Sequence, residues 1–337
     1  MTFRKYFSLL LCFVLTSLCI SGCNNFEPVQ HTEPVTLKKG LNLSALEDIR
    51  KPSSYLFKQK TYTDMVELGF DHVRLPVDFR TYADKNGVLK KAFLKRLDKI
   101  INIANNAGLA VMLDFHGWYD INVSNGDDEL FLNIWSNVAK HYKDYSNMLM
   151  FELINEPHTT EGGDLDMPTL MDLQTRAIEN IREISPERTI VVATAEWNGP
   201  WTLKDFELPN YDNLIVAIHT YEPLDFTHQG ETWAGKGDIS LKLSYAMLDG
   251  LKNQLKLITE FKERTGCDVV LNEFGLATTG AISEQDIDRY LSTITSYCEE
   301  NDIPWTYWCY GGNFGVYETK LFGGGWRQNV LDALFDK

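Results

Sequence analysis

The chain has 337 residues, 44% of them apolar, with 47 acidic side chains against 32 basic ones, a formal charge of −15. This length and apolar fraction are ordinary for a globular protein with a sizeable core. The charge excludes electrostatic capture of nucleic acid or of an anionic lipid surface, and suits a neutral substrate.

Arg4 and Lys5 precede the apolar run "YFSLLLCFVLTSLCISG" (6–22), which is too short and wrongly flanked for a spanning helix. Residues 1–22 are therefore expected to be a secretory signal. The run ends in Ile20-Ser21-Gly22-Cys23, which resembles a bacterial lipobox, where the cysteine is lipidated and becomes the mature N-terminus. Cys23 is expected to carry lipid; an ordinary signal with an incidental cysteine is the alternative. Residues 23–36 have no hydrophobic period and two prolines, and are expected to act as a tether. The protein would then be an exported bacterial lipoprotein, anchored at the outer membrane or cell surface.

From residue 37 to 337, short apolar runs recur. They are "TLKKGLNLS" (36–44), "DHVRLPV" (71–77), "LAVMLDFH" (109–116), "MLMFELIN" (148–155), "TIVVATAE" (189–196), "LIVAIHTY" (214–221), "DVVLNEF" (268–274) and "PWTYWCY" (304–310). Most are rich in Val, Ile and Leu without alternation, as strands buried on both faces should be. Helical period fills the gaps. Residues 168–184 place Leu170, Leu173, Ala177, Ile178, Ile181 and Ile184 on one face behind Pro168. Residues 283–300 open with Ser283 and Asp286 at capping-box spacing, followed by an Ile287, Tyr290, Leu291, Ile294 stripe. Eight alternating β and α units predict an α/β protein, a single-domain (β/α)8 TIM barrel. No Gly-rich phosphate fingerprint follows the first run, which argues against a nucleotide-binding fold. Cys12 and Cys19 leave with the signal. Cys267, Cys298 and Cys309 remain without metal-ligand spacing, as three buried thiols or with one Cys267–Cys298 bridge.

In such a barrel, polar residues at the C-terminal strand ends face the active-site mouth. Those ends carry Arg74, His116, Asn155-Glu156, Glu196, His219 with Tyr221, Glu273 and Trp308. Each alone has an ordinary structural explanation, but their recurrence from strand to strand points to a site. A carboxylate ending an apolar strand is costly unless it is paired or used. Two opposed carboxylates suit glycoside hydrolysis, one protonating the leaving oxygen and the other attacking the anomeric carbon. Arg74 would keep the attacking carboxylate ionised.

The motifs "LINEP" (153–157), "LNEFG" (271–275), "VRLPV" (73–77) and "IHTYEP" (218–223) resemble those of glycoside hydrolase family 5, the cellulase family. The resemblance covers residues 37–335 and implies a retaining, endo-acting β-1,4-glucanase that needs no metal or cofactor. It implies Glu156 as acid/base and Glu273 as nucleophile, with Asn155 on the sugar 2-hydroxyl and Tyr221 and Arg74 holding Glu273. His116 and His219 would line the −1 subsite, with Trp308 as its platform. Many members carry His-His after the third strand, whereas this chain has Gly117 in the second place; Trp118 is expected to compensate as a stacking surface. The stretch "EPLDFTHQGETW" (222–233) resembles the sixth-strand loop of bacterial endoglucanases, some of which accept mannan. Trp118, Trp197, Trp201 and Trp233 all fall in loops expected at the mouth, where their faces could stack on sugar rings. The partner is thus a β-linked polysaccharide or oligosaccharide, met by a monomer.

Three rivals remain at this point. Within the same chemistry, an endo-β-1,4-mannanase, glucomannanase or xyloglucanase differs only in the sugar recognised. A metal-dependent hydrolase could use His116, His219 and the glutamates, but no HExxH or other close ligand spacing occurs. A non-catalytic glycan-binding lipoprotein would keep the aromatic residues and lose a glutamate.

Overall fold

Eight parallel strands close into a barrel in chain order, β1 to β8. They are β1 (Lys39–Asn42), β2 (His72–Val77), β3 (Ala110–Phe115), β4 (Leu149–Glu152), β5 (Ile190–Ala193), β6 (Leu214–Thr220), β7 (Asp268–Phe274) and β8 (Trp305–Tyr307). The computed structural model describes residues 35–43, 54–160, 162–278, 282–318 and 324–335. The signal, Cys23 and most of the tether lie outside the described residues. Each strand falls within one of the mostly apolar runs, because a strand covered on both faces buries most of its side chains. Closure is made by β1 on β8, with Gly40 opposite Thr306 and Leu41 opposite Tyr307.

The helices cover the outside. Met167–Arg182 starts at Asp166, whose side chain accepts from the Thr169 amide (2.9 Å), and buries Leu170, Leu173, Ala177, Ile178 and Ile181. Glu284–Glu300 starts at Ser283, which accepts from the Asp286 amide (3.2 Å), and buries the expected stripe. The connection from β5 to β6 departs from the expected repeat. It has no long helix, only the turn Ala195–Asn198 and the 3-10 helix Pro200–Lys204. Gly199 and Pro200 interrupt any helical stripe there. The gap is covered by Phe206 packed on Phe261, and by Arg264 donating to the Leu203 carbonyl (2.8 Å). Among the described residues no disulfide forms: Cys267, half-buried, and Cys298 and Cys309, both buried, are thiols.

The barrel interior has two layers. Ala110, Met112, Met150, Val191, Ala217 and Val270 make an apolar plug near the N-terminal strand ends. The His72 ring also lies inside, so close to Gly40 that any Cβ there would stand 2.1 Å from Nε2. Above the plug the interior turns polar, with Asn42, Arg74, Asp114, Glu152, Asn272 and Glu273 all buried.

Candidate active site

Arg74, fully buried on β2, organises the polar layer. Its Nε and Nη2 donate to the two Glu152 oxygens (2.7 and 2.8 Å), Nη1 donates to Asn42 Oδ1 (3.0 Å) and Glu273 Oε1 (2.5 Å), and Nη2 donates to Asn155 Oδ1 (2.7 Å). Asp114 Oδ2 lies 3.0 Å from Nη2. One permanent cation therefore meets three buried carboxylates.

Regular strand alternation would send neighbouring residues to opposite faces. The pairing of β6 with β7 slips between Ile218 and His219, which brings His219 level with Glu273. Two consecutive β7 residues then work inside the barrel: Asn272 Nδ2 reaches Met112 Sδ (3.7 Å) while Glu273 reaches Arg74. After β7, Gly275 admits the Trp308 carbonyl oxygen to 2.4 Å from where a Cβ would stand.

Glu273 accepts from Arg74 at one oxygen and from the Tyr221 hydroxyl at the other (2.9 Å). Burial pushes its carboxyl up, and His219 and Arg74 oppose that push. Glu156 Oε1 lies 2.7 Å from His219 Nδ1, and burial raises its carboxyl to about 7. His219 is lowered to about 4 by burial, so it is neutral at neutral pH. The Asn198 amide nitrogen faces His219 Nε2 (3.4 Å), which assigns the proton to Nδ1 and makes that nitrogen the donor to Glu156. Asn155 is fixed at both ends, its oxygen by Arg74 and its nitrogen toward His116 Nε2 (3.4 Å). His116 Nδ1 in turn pairs with Asp114 Oδ2 (2.7 Å). Trp308, half-buried, lies nearly parallel to the His116 ring (13°, centroids 5.9 Å apart).

The other tryptophans divide. Trp233 is 72% exposed, and its indole N–H is held by the buried Glu231 (2.6 Å), which also accepts from Asn313 (2.8 Å). Trp197 and Trp201 are each 47% exposed, with one face of Trp197 stacked on His158 (4.4 Å). Trp118 is a correction to the expected stacking surface. It is 3% exposed, packed on Phe115 and Phe131 beneath the Arg80 guanidinium, with no face left for a sugar. Glu196 is exposed in the left-handed turn after β5, away from the strand-end role its position suggested. Sequence reasoning missed Asp114 and Glu152, although both stand inside apolar strands where an ionisable side chain needs a partner.

Among the described residues, the grouping able to hold a metal ion is Glu156, His219 and Glu273, with one ligand atom of each within 4.8 Å of the others. Those atoms are already hydrogen-bonded to one another or to Arg74 and Tyr221. Two carboxylates that converge on one histidine suit direct attack by one of them, the arrangement of a retaining glycosidase, whose acids lie roughly 5–5.5 Å apart against roughly 6.5–9.5 Å in an inverting one. A cavity of about 600 Å³ at the opposite end of the barrel, bordered by Leu37, Lys39, Asp268 and Glu299, has no such convergence.

Residues 33–314 match the family model described as cellulase (glycosyl hydrolase family 5). Endoglucanase 3 of Fibrobacter succinogenes is 26% identical over 350 residues, covering 88% of this chain and 53% of that protein, so the chain spans about half of that relative's length. The Clostridial cellulose synthase subunit Z from Clostridioides difficile has the same fold, with a TM-score of 0.82 and 29% identity over 89% of this chain and 100% of that one. Thermotoga maritima Cel5A in complex with cellobiose gives a TM-score of 0.80 and 30% identity over 89% and 97% of the two chains, and it has also been solved with mannotriose.

Proposed function

The chain belongs to glycosyl hydrolase family 5, and from that premise we propose that it is a retaining endo-β-1,4-glucanase. The observation that carries the reading is the Glu156–His219–Glu273 cluster, which joins a carboxyl raised to about 7 to a second carboxylate held by Arg74 and Tyr221. Glu273 attacks the anomeric carbon while Glu156 passes its proton to the departing glycosidic oxygen. Water then hydrolyses the glycosyl ester, with the ionised Glu156 taking the water's proton. Neutral His219 donates to Glu156 Oε1 and leaves the other oxygen to carry the mobile proton. Asn155 and His116 line the sugar below Trp308, and the exposed faces of Trp197, Trp201 and Trp233 suit successive rings of an internal stretch of polymer.

A β-linked glucan should yield a β-anomer first, seen by proton NMR before mutarotation, and Glu273→Ala should cost several orders of magnitude in kcat. An α-anomer appearing first, or a variant within about tenfold of wild type, would overturn the reading. Mannan or glucomannan as substrate is the second reading, favoured by the Thermotoga maritima relative solved with both cellobiose and mannotriose. Xyloglucan belongs to the same comparison, and a reducing-end assay across these polymers separates the substrates. Residues 1–22 are read as a lipoprotein signal with lipid on Cys23, supported by the small residues before that cysteine. The enzyme would act as an exported, membrane-anchored monomer.

A further inference from the structure

We propose that Glu152 is a positioning residue for the nucleophile: it grips the inner edge of the Arg74 guanidinium and so sets the direction, and the share of positive charge, that Arg74 presents to Glu273. Glu152 is fully buried and too deep to touch a sugar, yet it alone takes two hydrogen bonds from Arg74, at Nε and Nη2 (2.7 and 2.8 Å). A guanidinium is planar and rigid, so fixing one edge aims the other. The far nitrogen, Nη1, donates to Glu273 Oε1 (2.5 Å), and Nη2 also holds the Asn155 amide (2.7 Å).

The charges make Glu152 more than a brace. Glu152 faces Arg74 from β2, its register partner Asp114 from β3, and Glu273 from β7. Asp114 is itself paired with His116, and its Oδ1 has no hydrogen-bond partner. Glu273 faces Arg74, His219, Glu156, His116 and Tyr221. One cation cannot neutralise three anions, so the ionisation of Glu152 changes how much of Arg74 is free to stabilise an ionised Glu273. Burial raises the Glu152 carboxyl to about 7, which places this exchange near neutral pH.

The inference rests on Glu273 being the nucleophile, and the tests separate the two. Glu152→Gln keeps the shape and removes the charge. The acidic limb of kcat/KM on an aryl β-cellobioside should then move down by about half a unit or more, because Arg74 has one competitor fewer. Its kcat should fall about tenfold through the misaimed guanidinium, with KM within about twofold. A merely structural Glu152 would lower the melting temperature and leave the limb in place. A folded variant whose limb stays within roughly 0.2 unit of wild type overturns the proposal.

A second measurement needs no variant. A 2-deoxy-2-fluoro-β-cellobiosyl fluoride should glycosylate the wild-type nucleophile, with the anomeric C1–F bond breaking, fluoride leaving and a C1–O bond to the carboxylate forming as a glycosyl ester. A mass shift on the Glu273 peptide checks the nucleophile; a label elsewhere would overturn the proposed function instead. With Glu273 esterified, its negative charge is gone, and the Glu152 carboxyl, followed by 13C NMR, should titrate at lower pH than in the free enzyme. An unmoved titration overturns the role given to Glu152.

Discussion

At the residue scale, two carboxylates in one site divide the work by ionising differently. Glu156 must carry a proton to act as acid; that form is present below about 7 and lost above it. Glu273 must be ionised, a form gained as pH rises. The kcat/KM profile should therefore be bell-shaped with an alkaline limb near 7, and Glu156→Gln should remove that limb. The same shift acts on stability. Folded Glu156 keeps its proton up to about 7, whereas the unfolded chain releases it near 4.3. Stability from this group is thus fully present below the lower value and lost as pH rises through the upper one. Thermal melts of Glu156→Gln should show stabilisation on the order of 1 kcal/mol at pH 8 that vanishes at pH 4. Because two carboxylates suffice for this chemistry, and one Glu156 oxygen and both Glu273 oxygens are already engaged by His219, Arg74 and Tyr221, exhaustive chelation should leave the rate unchanged; a loss restored by zinc or manganese would contradict this chemistry.

At the element scale, the barrel depends on polar groups that tie helices to strands. Arg188, buried before β5, donates to the carbonyls of Ser146 and Leu149 (both 2.6 Å) and to those of Tyr142 (3.1 Å) and Tyr145 (2.8 Å), with its guanidinium over the Phe151 ring. It thus closes the last turn of the helix Asp127–Tyr142 and fastens it to β4, the strand that leads to Asn155 and Glu156. Arg188→Leu would leave these carbonyls unsatisfied in an apolar setting, at a cost of roughly 2–4 kcal/mol. Urea unfolding should show that loss, while kcat per folded molecule stays close to wild type. An equal fall in kcat would mean that β4 moves the site.

At the scale of the whole molecule, the chain enters β1 at the end of the barrel opposite the catalytic groups. A tether there would leave the mouth clear of an anchoring surface, and Cys23→Ser should shift the protein from the membrane fraction to the soluble one without changing its specific activity. The described residues show how far local pattern reaches. Short, mostly apolar runs marked all eight strands, because burial on both faces is a property of each strand by itself. Capping at Ser283 and the stripe behind Pro168 are equally local. The missing helix after β5 is visible only as Gly199, Pro200 and an absent stripe, and Trp118 in its loop carries no mark of burial. Position near strand ends drew attention to Glu156, Glu273, Arg74 and His219 along with Glu196, and the resemblance of the surrounding motifs gave the first four their roles. The grip of Glu152 on Arg74, across 78 residues, and of Arg74 on Glu273, across 199, exists only once the sheet closes. Which side chain meets which is decided by register and by the slip in β6–β7 pairing. A one-residue shift there would send Glu273 out of the barrel without changing a letter of the motif around it.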